Sequence, residues 1–215
     1  MVSFGRFLAA VSGVLLCASL GICATADDIV YRDLTKRVKA GDFGVDFRAL
    51  RLACIKSSYC SPRGKPEDLA ALGRAEAEHQ YDKAVVIAES MIDQGFVNIE
   101  VHASCANAYA KLNKPELAKF HRDVTTALMR SILNSGDGKS KETAFEVICT
   151  REEYVILSSR GLPYYGSAVT SFRELVDGRH KYERWEVHDP KTHQGVVMFF
   201  NIDAFSATKS RAPGR

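Results

Sequence analysis

The chain has 215 residues, carrying 29 Lys and Arg against 26 Asp and Glu for a net charge of +3. With 46% hydrophobic and 26% charged residues, it falls among folded chains long enough to bury a core in one ordinary domain or two small ones, not among disordered ones. Acidic and basic residues are interleaved, which argues against a nucleic-acid partner, since phosphate binding needs a clustered cationic surface.

At the front, Arg6 precedes an apolar run from Phe7 to Ile22, and Ala24-Thr25-Ala26 follows as a small-residue cleavage signal. This pattern predicts a signal peptide over residues 1–26 and export to the periplasm or beyond, with no membrane attachment after cleavage. The run is short for a bilayer-spanning anchor and is diluted by Ser12, Ser19 and two glycines. Leu20-Gly21-Ile22-Cys23 resembles a lipid-attachment box but has Ile22 where a small residue is expected.

Four cysteines follow the expected cleavage point: Cys54, Cys60, Cys105 and Cys149. An even count in an oxidising compartment suggests disulfides, and four cysteines allow three connectivities. Cys54 with Cys60 is the easiest pair, because a helix ending near Ser57 lets Cys60 fold back. Cys105 and Cys149 read equally well as small buried residues. With no C-x-x-C, a zinc ribbon or thioredoxin-type redox pair is unsupported.

The pattern is helical through residues 27–138. Tyr31, Leu34 and Val38 form one face; Phe47, Leu50, Leu52 and Cys54 belong to the next segment. Ser61-Pro62-Arg63-Gly64-Lys65-Pro66 is a loop before Glu67 restarts the helix. Ala84 and Ala118 then sit at equivalent phases 34 residues apart, the period of the tetratricopeptide repeat, with small residues at Ala88, Ala103, Ala106 and Ala110 and an aromatic at Tyr109. A strong repeat's Trp and Leu-Gly are missing from the second unit, and a plain helical bundle accommodates the same residues.

Asn134 to Gly138 ends the helix that begins near Pro115, with Gly136 or Gly138 available for a left-handed cap. Gly138-Lys139-Ser140 is not a phosphate-binding loop, because the first glycine is missing and the loop leaves a helix instead of a strand. Residues 139–215 read as a small α+β region. Thr143–Cys149 alternates as a strand, and Thr150 with Glu153 matches a capping box. Strands are expected near Ala168–Val176, Lys181–His188 and Val196–Ile202, the last apolar on both faces and so central or covered. The fold class is therefore α+β: N-terminal helical hairpins resembling tetratricopeptide repeats, then an antiparallel sheet with one helix.

Ser135-Gly136-Asp137-Gly138 with Thr143-Ala144-Phe145, then Glu152-Glu153-Tyr154 and Phe200-Asn201-Ile202, together resemble an uncharacterised bacterial family, domain of unknown function 4919. The likeness runs from about Tyr31 to Phe205. It implies the architecture and an exported setting, brings no activity, substrate or cofactor, and draws attention to Asp137 and Glu153.

Chemical constellations are sparse. Glu152 and Glu153 look like a carboxylate pair but also suit the first turn of a helix. His188, Asp189 and His193 flank one hairpin turn and are weak candidates for a divalent metal. His79, His102 and His121 form no H-E-x-x-H pattern and read as surface or core-edge residues. Tyr164 and Tyr165 could offer an aromatic contact for a sugar or peptide; Tyr182 and Trp185 project from opposite faces of one strand, so at most one of them joins it.

The leading functional expectation is a cofactor-free, non-enzymatic module that binds a protein or peptide of the cell envelope through a concave helical surface or a sheet edge. The alternative is a small hydrolase or metal-dependent enzyme using the Asp137 loop, Glu153 and the His188/His193 hairpin, which requires those groups to converge in one cleft. A third is a structural or inhibitory partner of another secreted protein, which requires an exposed apolar patch.

Overall fold

The structure, a computed structural model, describes residues 24–209. The apolar run of the expected signal peptide lies outside them. Thr25 caps the first helix, α1 (Ala26–Lys39): its hydroxyl accepts from Asp28 N, and the Asp28 carboxylate accepts from Thr25 N. This reciprocal pair satisfies two donors that a helix start otherwise leaves open. Asp28 also accepts from Ser57 Oγ and Ser58 N, tying α1 to the end of α2 (Phe47–Lys56). Thr25, the cap of α1, lies two residues before the expected mature start at Asp27.

Four more helices complete the first part: α3 (Pro66–Ala77), α4 (Tyr81–Gln94), α5 (Ile99–Lys111) and α6 (Pro115–Leu133). Pro66 and Pro115 stand at first helical positions, where a missing N–H costs nothing. The 34-residue spacing corresponds to a local likeness: His79 and Asn113 both adopt left-handed backbone (φ 57° and 55°) just before α4 and α6, and Ala84 and Ala118 are both fully buried. The packing goes further than a stack of neighbours. α1 packs on α2, and α3 to α6 pack each on the next, while α2 packs on α6, so the helices close on one another. In an open solenoid each unit meets only its neighbours.

A two-residue strand, β1 (Phe145–Glu146), leads to α7 (Thr150–Ser159), then β2 (Val169–Asp177), β3 (His180–His188), β4 (Gly195–Asn201) and a short α8 (Asp203–Lys209). The sheet order is β1-β4-β3-β2. The three long strands pair antiparallel, as expected, whereas β1 joins β4 in parallel through Phe145↔Phe200 and Glu146↔Asn201, so the sheet is mixed. The expected strand over Thr143–Cys149 shrinks to β1: Val147 N still reaches the Asn201 carbonyl, but Ile148 N turns to the Glu152 carboxylate and Cys149 is already the N-cap of α7. β4, apolar on both faces, is an inner strand.

Two local expectations are corrected. α6 ends at Asn134 with right-handed backbone, so neither Gly136 nor Gly138 caps it. Gly138 is left-handed (φ 73°) for a different reason: a Cβ there would come within 2.5 Å of the Phe145 ring, and its carbonyl accepts from Phe199 N. The capping box at α7 is absent as well. Cys149 is the N-cap, with no side-chain cap, and Thr150 is already helical.

The helical part and the sheet are joined through Arg51 of α2, fully buried. Its Nε and Nη2 donate to the two carboxylate oxygens of Glu152 on α7 at 2.8 and 2.6 Å. Nη2 also donates to the Glu146 carbonyl on β1, and Nη1 to Ser131 Oγ on α6. Glu152 in turn accepts from Ile148 N. Removing one partner strands a buried charge, so Arg51→Ala lowers the free energy of unfolding by about 3–5 kcal/mol in urea titrations. R51M/E152L recovers only part of that, because Ile148 N–H and the Glu146 carbonyl still lose their partners. A loss below about 1 kcal/mol for Arg51→Ala would contradict this role.

Candidate functional site

Where α2, α6 and the 137–144 loop face the ends of β3 and β4, they enclose an open cleft of about 670 Å³. That lies within the roughly 300–1,000 Å³ typical of ligand sites. Phe43 and Phe47 supply apolar wall, and Arg48, Arg130, Glu142, Glu146 and Tyr182 supply polar groups. Arg48 donates two hydrogen bonds to Glu146 at 2.6 and 2.8 Å, which raise its pKa. Lys141 is likewise raised by its ion pair with Asp177 at the end of β2. Exposed Arg130 has no ion-pair partner among the described residues.

The residues singled out from sequence are dispersed. Asp137 organises its own loop: its carboxylate accepts from Thr143 Oγ1 at 2.6 Å and from Lys139 N at 3.0 Å, bonds that lower its pKa to about 2. Glu152 and Glu153 are both buried but point apart, Glu152 to Arg51 and Glu153 to Trp185, whose Nε1 donates to it at 2.8 Å. The Asp189 carboxylate is taken up by Lys191 N and Thr192 Oγ1 within its own turn, beside the His188 and His193 rings. Gly138 meets β4 at Phe199, four residues from the hairpin end at Gly195, a separation of about 13 Å along a strand. The Asp137 loop, Glu153 and the hairpin therefore do not converge in one cleft.

Cys54 and Cys60 form the expected disulfide, and Cys105 and Cys149 are buried free thiols. Tyr164 stacks on Tyr154 at 4.8 Å and meets Tyr165 edge-on. Tyr154 continues to Trp185, and Trp185 to Phe172 on β2. Of the two strand aromatics, Trp185 joins this row while Tyr182 turns to the cleft, as their odd spacing requires.

The sequence reading missed a buried polar cluster between α4, α5 and α6. His102 and His121, expected at the surface or the core edge, are buried, as is Cys105. His121 Nε2 lies 3.2 Å from Glu89 Oε1 and 3.5 Å from Cys105 Sγ, and Cys105 Sγ lies 3.7 Å from the same Glu89 oxygen. The Tyr109 hydroxyl donates to Glu89 Oε1 at 3.0 Å, and its ring stacks on His121. On the other side, His121 Nδ1 meets His102 Nδ1 at 2.9 Å, and His102 Nε2 lies 2.7 Å from the Phe96 carbonyl. Burial lowers the pKa of His102 to about 3 and raises that of the Cys105 thiol, which the Glu89 carboxylate raises further. Glu89 is lowered, chiefly by its bond with His121. One sequence signal was available: His102, Cys105 and Tyr109 fall at i, i+3 and i+7, one face of α5, so a core stripe carries three polar groups.

A family model described as a domain of unknown function, DUF4919, matches residues 25–211, so the chain belongs to that family. No curated protein and no solved structure matches it.

Because the folded-state pKa of Asp137 lies below its ordinary 3.8, its stabilising effect is present above about pH 4 and is lost as pH falls toward 2. Asp137→Asn should therefore lower stability at pH 7 and flatten the acid limb of the stability–pH curve in that window. An unchanged acid limb would contradict the assignment.

Proposed function

We propose that this member of the family of unknown function works in the cell envelope as a non-enzymatic binding module, and that the helix–sheet cleft receives an extended segment of a protein partner. The observation that carries this is the cleft itself: open, of ligand-site volume, with aromatic wall at Phe43 and Phe47 and, at Arg130, a guanidinium without an ion pair among the described residues. Tyr182 on β3 adds a hydroxyl, and Glu146 on the edge strand β1 lines the same cleft. An acidic side chain on the bound segment pairs with Arg130, while its backbone is held by the polar groups around Asn134 and Asn201. Because α2 packs on α6, the cleft takes the place of the concave groove that an open helical stack would offer.

Two features support the envelope setting. Residues 1–26 have the charged, apolar and small-residue order of a signal peptide. The Cys54–Cys60 disulfide is of a kind that persists in oxidising compartments.

The test is affinity capture from the envelope fraction, comparing the wild-type chain with Arg130→Glu and Tyr182→Ala. A stoichiometric partner whose affinity falls at least about ten-fold with Arg130→Glu is the expected result. A partner indifferent to both changes, or none retained, would place the function elsewhere.

A further inference from the structure

Beyond the cleft, we infer that Glu89, Cys105 and His121 form a binding site for a divalent transition metal of the zinc type, with one coordination position left open. Among the described residues these three are the group of His, Cys and acidic side chains whose ligand atoms all lie within 4.8 Å of one another. They come from three helices, α4, α5 and α6, so the site depends on packing and not on a local motif.

The spacing fits the metal. Zinc bonds of about 2.3 Å to sulfur and about 2.0 Å to nitrogen and oxygen, at tetrahedral angles, put the donors about 3.5 Å (S···N and S···O) and about 3.3 Å (N···O) apart. The observed separations are 3.5, 3.7 and 3.2 Å. One thiolate, one imidazole and one carboxylate is a donor set that favours zinc or cobalt over magnesium or calcium.

The hydrogen-bond chain behind His121 aims the ring. A carbonyl can only accept, so neutral His102 donates Nε2–H to Phe96 O and keeps its lone pair at Nδ1. His121 must then donate its Nδ1–H to His102, so that Nε2 is the nitrogen facing the thiol and the carboxylate, and in the neutral ring it offers them its lone pair. A metal-bound histidine is oriented by the same kind of outer hydrogen bond. In the metal-free chain only a proton on Nε2 turns the 3.2 Å contact with Glu89 into a hydrogen bond, so the arrangement calls for positive charge there, and a metal would take that proton's place. Binding would release the Cys105 thiol proton to solvent, and the thiolate and carboxylate together would balance a dication.

A nucleophilic triad has a different layout. There the base uses one ring nitrogen for the nucleophile and the other for the carboxylate. Here Cys105 and Glu89 crowd the same nitrogen, Nε2, and Cys105 is fully buried. The Glu89 side chain is 41% exposed, so metal and a fourth ligand reach the site from that side, next to the Tyr109 hydroxyl.

Cobalt titration of the chelator-treated full chain tests the site. The expected result is one Co²⁺ per chain, displaced by Zn²⁺, with tetrahedral d–d absorption and a near-ultraviolet thiolate-to-cobalt band. Cys105→Ser should abolish that band, and His102→Asn should weaken binding about 10–100-fold. Glu89→Gln, at a partly exposed position, should weaken cobalt binding at least about ten-fold even if the core variants fail to fold. H188A/H193A, in the β3–β4 hairpin outside this group, should leave the titration unchanged. No bound cobalt, or cobalt bound without the thiolate band and indifferent to Glu89→Gln, would overturn the proposal and leave the cluster as a proton-mediated His121–Glu89 pair.

Discussion

A buried guanidinium dictates how the two parts of this molecule meet. Arg51 is held at zero exposure only because four acceptors converge on it: both oxygens of Glu152, the Glu146 carbonyl and Ser131 Oγ. These acceptors come from three pieces of structure, α7, β1 and α6, so satisfying one charge fixes α2 against all three. An unmatched charge at that depth would cost several kcal/mol, which leaves little freedom for the sheet to slide over the helices. The cleft inherits its shape from this constraint, since Ser131 and Glu146 line it as well as serving Arg51.

Pattern and punctuation made much of the fold legible in the sequence. Strand positions followed from alternation, the inner place of β4 from its two apolar faces, and the Cys54–Cys60 pairing from a helix that stops at Lys56. What stayed hidden was long-range. Nothing near Arg51 or Glu152 announces a partner 101 residues away, and Glu152 and Glu153, adjacent in sequence, serve opposite neighbours. The 34-residue spacing reported two similar hairpin turns but could not reveal that α2 would close on α6. Likewise, Gly138 was recognisable as a glycine with a purpose, but its purpose is clearance for Phe145.

The two proposed sites differ in kind. The cleft is open and assembled from both halves of the chain, whereas the Glu89–Cys105–His121 cluster lies among three helices and opens only at Glu89. α6 carries elements of both: His121 and Arg130 are nine residues, or about 13 Å, apart along its axis. Sequence reasoning undervalued the cluster because histidines at spacings of 19 and 23 residues match no local metal motif. Helix packing supplies the convergence that spacing cannot.

The most direct measurement of whether Arg51 makes the two halves one unit uses the single tryptophan, Trp185, which sits on β3. Its fluorescence reports the sheet, and far-ultraviolet circular dichroism is dominated by the helices. Followed together through urea unfolding, the two signals should give coincident transitions in the wild-type chain. Separate transitions, with the sheet lost while the helices persist, would contradict the coupling on which the cleft depends.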